Sequence, residues 1–226
     1  MRIEIWSDVI CPWCWIGYTR FAKALAGFAA REDVSIVHRA FRLAPGEPVR
    51  PADQAISARY GMTVGQARAM MRQVEQTAAQ DGLPFHLQGT EFGDTGDAHR
   101  LVYFATAQGR GHAMMERLWR AYFTENRSVF DHTGLTDLAV EVGLDRSAMQ
   151  RLFEGRQYAE VVEADVRAAV QLGARGVPFF LIDGRLAIGG AQPVETFSAA
   201  LEQAWREKPV LVGGDAERCG PGGCEI

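Results

Sequence analysis

Two cysteines separated by two residues, set between an apolar strand and an amphipathic helix, constrain this chain more than any other feature. An apolar run beginning at Ile3 predicts a buried strand, and Ser7 and Asp8 after it offer turn and helix-cap chemistry. The motif Cys-Pro-Trp-Cys follows at residues 11–14, and the run from Trp15 to Phe28 predicts a helix. The first N–H groups of a helix are unpaired and carry the positive end of its dipole, so they stabilise a thiolate placed there.

The spacing within the motif assigns different roles to its two cysteines. Pro12 suits the first helical turn because no N–H is needed from it there, and Cys14 lies one turn after Cys11. We therefore expect Cys11 to have a depressed pKa and to react first, with Cys14 as its resolving partner.

Three interpretations of this motif compete: half of a zinc site, a pair of inert core cysteines and a redox dithiol. A zinc site needs two further ligands, and none follows at a typical spacing. An inert core pair would not need proline and tryptophan between its members. The redox dithiol is favoured.

Length, charge and cysteine usage narrow the class of protein. The chain has 226 residues and a net charge of −4, with no basic stripe, which argues against nucleic acid as a partner. No apolar run approaches the length of a membrane span, and no signal peptide precedes the first strand, so a cytoplasmic location is expected. In a reducing compartment, four cysteines point to redox, catalytic or metal-binding roles and not to a disulfide-stapled scaffold.

The order of predicted elements gives an α/β fold with a helical insertion. A second strand over Val34–Phe41 completes a βαβ unit with parallel strands. Beyond Gly173, strands at 177–182 and 186–188 are joined by Asp183 and Gly184, a strong hairpin signal, and a helix follows at 193–205. Between these parts, helical periodicity replaces strand patterns; helices are predicted at 52–60, 63–81, 95–108, 112–125, 133–142, 146–153 and 157–172.

These patterns predict a sheet domain made of residues 1–45 and 174–207, an insertion domain of residues 46–173, and a glycine-rich tail at 208–226. The methionines and aromatic residues of the insertion are interpreted as core. The histidines of the insertion are scattered along the sequence, and His38 is interpreted as a packed or edge side chain, so no metal site is predicted.

Several stretches together resemble a known family. They are Ser7–Cys14, Ala98–Leu101, Ala121–Phe123, Gly176–Phe180 and Gly190–Pro193. In this order they resemble the thioredoxin fold, specifically its DsbA-like branch and the FrnE-type thiol–disulfide oxidoreductases. Those proteins are related to 2-hydroxychromene-2-carboxylate isomerase and to the kappa glutathione transferases.

The resemblance implies a substrate site around the dithiol. It implies that Pro178 follows a cis bond and faces the cysteines, that the Val177 backbone pairs with an extended substrate, and that Pro12 and Trp13 tune the thiolate and border the substrate. The implied substrates are cysteine-containing proteins or peptides, with no cofactor beyond glutathione as a redox partner. Two departures from the family pattern, at Ala44–Pro45 and at Asp94–Thr95, are expected to border the substrate cleft and to alter specificity.

Two other functions stay open at this point. Relatives on the same scaffold use glutathione and a small electrophile, but they carry serine where this chain has Cys11. Metal buffering by the four thiolates is a non-enzymatic alternative. The oligomeric state is open as well, and apolar faces of the insertion would allow a homodimer.

The tail carries a second cysteine pair, Cys219 and Cys224, around Gly-Pro-Gly-Gly. It is an idle segment, a metal clip or an auxiliary redox pair. We expect it to form its own disulfide under oxidising conditions and to modulate the primary dithiol.

Overall fold

The computed structural model describes residues 1–207 of the chain. In chain order the strands are β1 (Arg2–Ser7), β2 (Ser35–Ala40), β3 (Arg50–Pro51), β4 (Glu91–Phe92), β5 (Phe179–Ile182) and β6 (Leu186–Gly189). The helices are α1 (Pro12–Ala26), α2 (Ala52–Tyr60), α3 (Val64–Gln80), α4 (Gly96–Thr106), α5 (Gly111–Phe123), α6 (His132–Glu141), α7 (Arg146–Glu154), α8 (Ala159–Gln171) and α9 (Val194–Arg206).

The central sheet has four strands in the order β2-β1-β5-β6. β1 runs parallel to β2 and antiparallel to β5, and β5 runs antiparallel to β6. Asp183 and Gly184 both adopt positive φ angles, 48° and 67°, as the predicted tight hairpin turn requires. The α/β thioredoxin-like fold class predicted from the sequence is confirmed.

Helices cover both faces of this sheet. On one face Phe21 of α1 lies against Phe180 and Phe197, with ring centroids 5.5 and 5.8 Å apart. On the other face Trp6, Phe179 and Leu181 pack against α8. The last helix of the predicted insertion segment is therefore part of the sheet's own packing. The limits assigned to the two domains stay a prediction.

The helical segment follows its sequence signals closely at one cap and departs from them at one strand. Thr63 forms a capping box with Gln66 at the start of α3, at the position where the predicted helix 63–81 begins. The expectation that no strand interrupts the segment is wrong, because β4 pairs with β3 in a two-residue ladder. A pairing this short is set by tertiary contacts, such as the 2.9 Å bond from Ala52 N–H to Thr90 O, and leaves no periodic pattern. No helix within residues 1–207 is both long and apolar enough to cross a membrane.

Two histidines far apart in sequence meet between β2 and α5. His38 Nε2 lies 3.2 Å from His112 Nδ1, and the two rings are nearly parallel. The interpretation of His38 as a packed side chain is confirmed, since only 9% of it is exposed. Burial, with the neighbouring His112 as a smaller cause, lowers the pKa of His38 to about 3.

This buried histidine predicts how stability depends on pH. In the unfolded chain His38 takes up a proton near its ordinary pKa of 6.5, whereas the folded chain resists protonation down to about 3. The contribution of neutral His38 to the free energy of unfolding is therefore complete above pH 6.5. It is lost as the pH falls toward 3, by up to about 1.4 kcal/mol per pH unit. Urea unfolding of His38→Phe at several pH values should show a slope smaller by about 1 kcal/mol per unit in this window. The exposed His86, changed to glutamine, is the control, and an unchanged slope in His38→Phe would contradict this prediction.

Candidate active site

The motif Cys-Pro-Trp-Cys forms the start of α1, directly after the turn that leaves β1. Cys11 is the N-cap residue, with φ −89° and ψ 110°, and Pro12 occupies the first helical position. The Cys11 N–H bonds to Asp8 O at 3.2 Å, and the Cys14 N–H bonds to Cys11 O at 3.0 Å. The helix thus begins three residues earlier than the amphipathic pattern at Trp15 indicates, because Pro12 and the turn at Asp8 define its start.

Both thiols are free and close to each other, and both are shielded from solvent. Cys11 is 4% exposed and Cys14 is 1% exposed. Burial, together with the hydrogen bond and the charge of Cys11, raises the pKa of the Cys14 thiol well above its ordinary value. The charge of Asp8 acts in the same direction, while a hydrogen bond from the Asp8 backbone opposes it. The second cysteine of the motif is therefore the harder one to ionise.

The loop before β5 faces the first thiol. Cys11 Sγ donates a weak hydrogen bond to Val177 O at 3.6 Å, and the Val177–Pro178 bond is cis. Pro178 is buried and Val177 is half-buried. Gly17 of α1 allows this approach, because a Cβ there would lie 2.8 Å from Pro178 Cγ and 3.2 Å from Ala191 Cα.

A buried carboxylate lies beneath the dithiol, and it does not cap α1 as the sequence led us to expect. No side chain caps this helix. Instead Asp8 Oδ2 accepts a bond from the Leu43 N–H at 2.7 Å, and Asp8 Oδ1 lies 3.4 Å from His99 Nε2. Neither Oδ1 nor Nε2 has a hydrogen-bond partner of good geometry within the described residues, and both side chains are at most 1% exposed. The pair connects α4 of the helical segment to the turn that carries Cys11.

An apolar cavity of about 330 Å³ opens beside Cys11. One wall comes from the dithiol end of the sheet unit, with Ile10, Cys11, Pro12, Trp13, Gly176 and Val177. The other walls come from the helical segment and the chain flanking it; they comprise Leu43, Ala52, Ala55, Ile56, Arg59, Tyr60, Met70, Met71, Val74, Leu87, Thr90, Phe92, Tyr122 and Phe123.

This cavity corrects two sequence-based expectations. Met70 lines it and is 37% exposed, so this methionine of the insertion is not core, whereas Met71 and Phe123 line it as buried core residues. The departures at Ala44–Pro45 and Asp94–Thr95 do not border it. Asp94 is held by Arg42 and lines a separate polar cavity of about 360 Å³.

The remaining predicted site residues have the following positions. Pro12 and Trp13 border the cavity, and Trp13 is 41% exposed. Cys219 and Cys224 lie outside the described residues. Within residues 1–207 no group of three or more histidine, cysteine, aspartate or glutamate side chains is placed to hold a metal ion.

Three residues that line the cavity were not predicted from the sequence: Arg59, Met70 and Tyr122. Nothing in their local sequence indicates that α2, α3 and α5 face the dithiol.

Comparison with known proteins identifies the family. The model of the DSBA-like thioredoxin domain matches residues 2–202. A probable DsbA oxidoreductase, SCO1869 from Streptomyces coelicolor, is 44% identical, with 100% of this chain and 99% of that chain covered and a TM-score of 0.90.

Two more distant structures share the fold alone. The cytosolic disulfide reductase DsbM from Pseudomonas aeruginosa is 20% identical, with 91% of this chain and 99% of that chain covered and a TM-score of 0.65. A 2-hydroxychromene-2-carboxylate isomerase is 14% identical, with 91% and 97% covered and a TM-score of 0.66.

The chain belongs to the DSBA-like thioredoxin domain family. That membership, with the similarity to a probable DsbA oxidoreductase over the whole chain, supports a DsbA-like oxidoreductase as its general class.

Gly17 provides a direct test of the contact between α1 and the Val177–Pro178 loop. In Gly17→Ala the new methyl group would overlap Pro178 Cγ and crowd the Ala191 backbone, so the loop should move away from Cys11. We expect a loss of about 1–3 kcal/mol in the free energy of unfolding and a fall of about tenfold or more in the rate of disulfide exchange. Gly27→Ala, at the other end of α1, is the matched control, because its Cβ would come no closer than 3.6 Å to Ala24 O. Equal exchange rates in the two variants would contradict the proposed role of this contact.

Proposed function

We propose that this protein catalyses thiol–disulfide exchange on cysteine-containing proteins or peptides, with Cys11 as nucleophile and Cys14 as resolving thiol. The observation that carries the proposal is the position of Cys11 Sγ, which lies at the start of α1, at the edge of the apolar cavity and 3.6 Å from Val177 O. A thiol at a helix N-terminus is stabilised as the reactive thiolate.

The reaction proceeds in two displacements. The Cys11 thiolate attacks one sulfur of the substrate disulfide, which forms a mixed disulfide and releases the other substrate sulfur as a thiolate that takes up a proton. Cys14 then loses its proton and attacks Cys11 Sγ, which releases the second substrate thiol and leaves a Cys11–Cys14 disulfide. Two electrons pass from the dithiol to the substrate. Reversal oxidises substrate thiols, and exchange without net electron transfer rearranges incorrect disulfides.

The different environments of the two thiols support this order. Burial raises the pKa of Cys14, so at neutral pH its proton is retained until the mixed disulfide on Cys11 has formed. Cys14 is also the less exposed of the two, at 1% against 4%. The buried thiol is thus protected from solution disulfides and is placed to react with Cys11.

Substrate binding in this proposal uses Val177, Pro178, Pro12 and Trp13. The Val177 backbone pairs with an extended substrate segment, Pro178 shapes the loop, and Pro12 and Trp13 form the border of the cavity. The proposal includes glutathione as a redox partner and a cytoplasmic location, in line with the fold neighbour DsbM, which is named a cytosolic disulfide reductase and has also been solved with GSH. Cys219 and Cys224 are proposed as an auxiliary pair.

A glutathione-dependent isomerisation or transfer of a small molecule is the alternative. It is favoured by the fold shared with 2-hydroxychromene-2-carboxylate isomerase and by the apolar cavity. The intact pair of thiols favours the exchange reaction, because the glutathione-using relatives that share this scaffold carry serine at the position of Cys11.

Covalent trapping tests the proposed roles. In Cys14→Ser the mixed disulfide cannot be resolved, so incubation with oxidised insulin should accumulate an adduct on Cys11, detectable by mass spectrometry without reduction. Cys11→Ser should lose insulin reduction and refolding of scrambled ribonuclease by about a hundredfold or more, since the nucleophile is absent. An adduct that forms equally fast on Cys14 in Cys11→Ser would contradict the assignment. Isomerisation of a chromene carboxylate with glutathione, without any disulfide exchange, would favour the alternative.

A further inference from the structure

The cavity beside Cys11 has an apolar mouth that is open to solvent. Trp13, Tyr60 and Met70 line it and are 41%, 63% and 37% exposed. These three come from three different helices, α1, α2 and α3. Exposed large apolar side chains that converge on one opening from separate elements are typical of a binding surface, whereas scattered single ones are ordinary.

The otherwise apolar wall of the cavity carries a positive charge. Arg59 is the lining side chain with a permanent charge, and no aspartate or glutamate among the described residues lines the cavity. Its guanidinium lies 5.7 Å from the centre of the Phe92 ring, and Nη2 donates to Leu43 O at 3.0 Å. Within residues 1–207 no carboxylate forms an ion pair with Arg59, in contrast to Arg42 and Arg117. Most guanidinium N–H groups of Arg59 are thus free for an anionic partner.

Resting on the proposed function, we propose that this cavity selects peptide substrates with a bulky apolar side chain beside the reacting cysteine and a carboxylate beyond it. The apolar side chain would enter between Met70, Ile56 and Trp13, and the carboxylate would pair with Arg59. The cavity volume of about 330 Å³ is at the lower end for ligand pockets, which fits one large side chain with its neighbour better than an extended ligand.

The path from Cys11 to Arg59 supports a peptide as the occupant. Cys11 and Val177 contact each other and both line the cavity, so a cysteine held at Cys11 Sγ leaves its flanking residues at the cavity itself. Consecutive side chains of an extended peptide point to opposite sides, so a segment paired with Val177 can present the cysteine to Cys11 while a neighbour faces the cavity. A charged residue further along the segment then reaches the rim, where Arg59 is exposed.

The test compares four short peptides, each supplied as a symmetric disulfide dimer. They combine phenylalanine or serine next to the cysteine with glutamate or glutamine beyond it. The reduced protein supplies two electrons and two protons, so each dimer yields two peptide thiols and one Cys11–Cys14 disulfide. We expect the second-order rate constant to be about tenfold or more higher with phenylalanine than with serine. We expect glutamate to exceed glutamine by about two- to fivefold, with the difference reduced at high salt.

Variants of Arg59 separate charge recognition from apolar burial. Arg59→Gln should lose the discrimination between glutamate and glutamine and keep the preference for phenylalanine. Arg59→Glu should favour a fifth peptide, which carries lysine in place of the glutamate, over the glutamate peptide. Arg206→Gln, which removes an exposed arginine at the end of α9, is the matched control and should keep both preferences.

Exchange with glutathione disulfide distinguishes failure of this inference from failure of the proposed function. Equal rate constants for the four dimers, with normal exchange of glutathione disulfide, would overturn the inference alone. If glutathione disulfide is not exchanged, the proposed function fails, and calorimetric binding of the same peptides with serine in place of cysteine still measures the cavity's preference. Binding of free 3-phenylpropionate without discrimination among the peptides would overturn the peptide assignment in favour of a small aromatic acid.

Discussion

The close approach of α1 to the loop before β5 is the contact on which the rest of the active site depends. Gly17 leaves room for Pro178 and Ala191, and this places the Val177 carbonyl 3.6 Å from Cys11 Sγ. A second contact stabilises this approach, because Phe21 of α1 packs on Phe180 in the strand that follows the loop. The same packed core therefore fixes the helix that carries the thiols and the loop that faces them.

The helical segment contributes to this arrangement in two ways. Asp165 of α8 accepts hydrogen bonds from the Ala40 N–H at 2.8 Å and from Arg39 at 3.3 Å. Its backbone carbonyl accepts from Trp6 Nε1, so α8 is joined to the edge strand β2 and to its neighbour β1. Elsewhere in the segment, α2 and α3 contribute a large share of the cavity wall beside Cys11. The sheet unit thus provides the thiols, and the helical segment provides the surface next to them.

The sequence predicts the parts of this structure that depend on local chemistry. The strand followed by Cys-Pro-Trp-Cys, the capping box at Thr63 and the turn at Asp183 each have a signature within a few residues. Contacts between distant segments leave no such signature. The meeting of His38 with His112, the pairing of Asp8 with His99, and the position of Arg59 at the cavity all depend on how α2, α4 and α5 pack against the sheet unit. For the same reason, the cap role expected for Asp8 was wrong.

The reduction potential of the Cys11–Cys14 pair shows whether these two thiols act together as a redox dithiol. It is best measured in glutathione redox buffers on a Cys219→Ser, Cys224→Ser background, so that only the two motif cysteines titrate. We expect a single two-electron transition, with a tenfold change in equilibrium constant per about 30 mV and a midpoint between about −270 and −120 mV. Thiols that stay reduced across the whole buffer range, or a stable glutathione adduct on one cysteine without a Cys11–Cys14 disulfide, would contradict it.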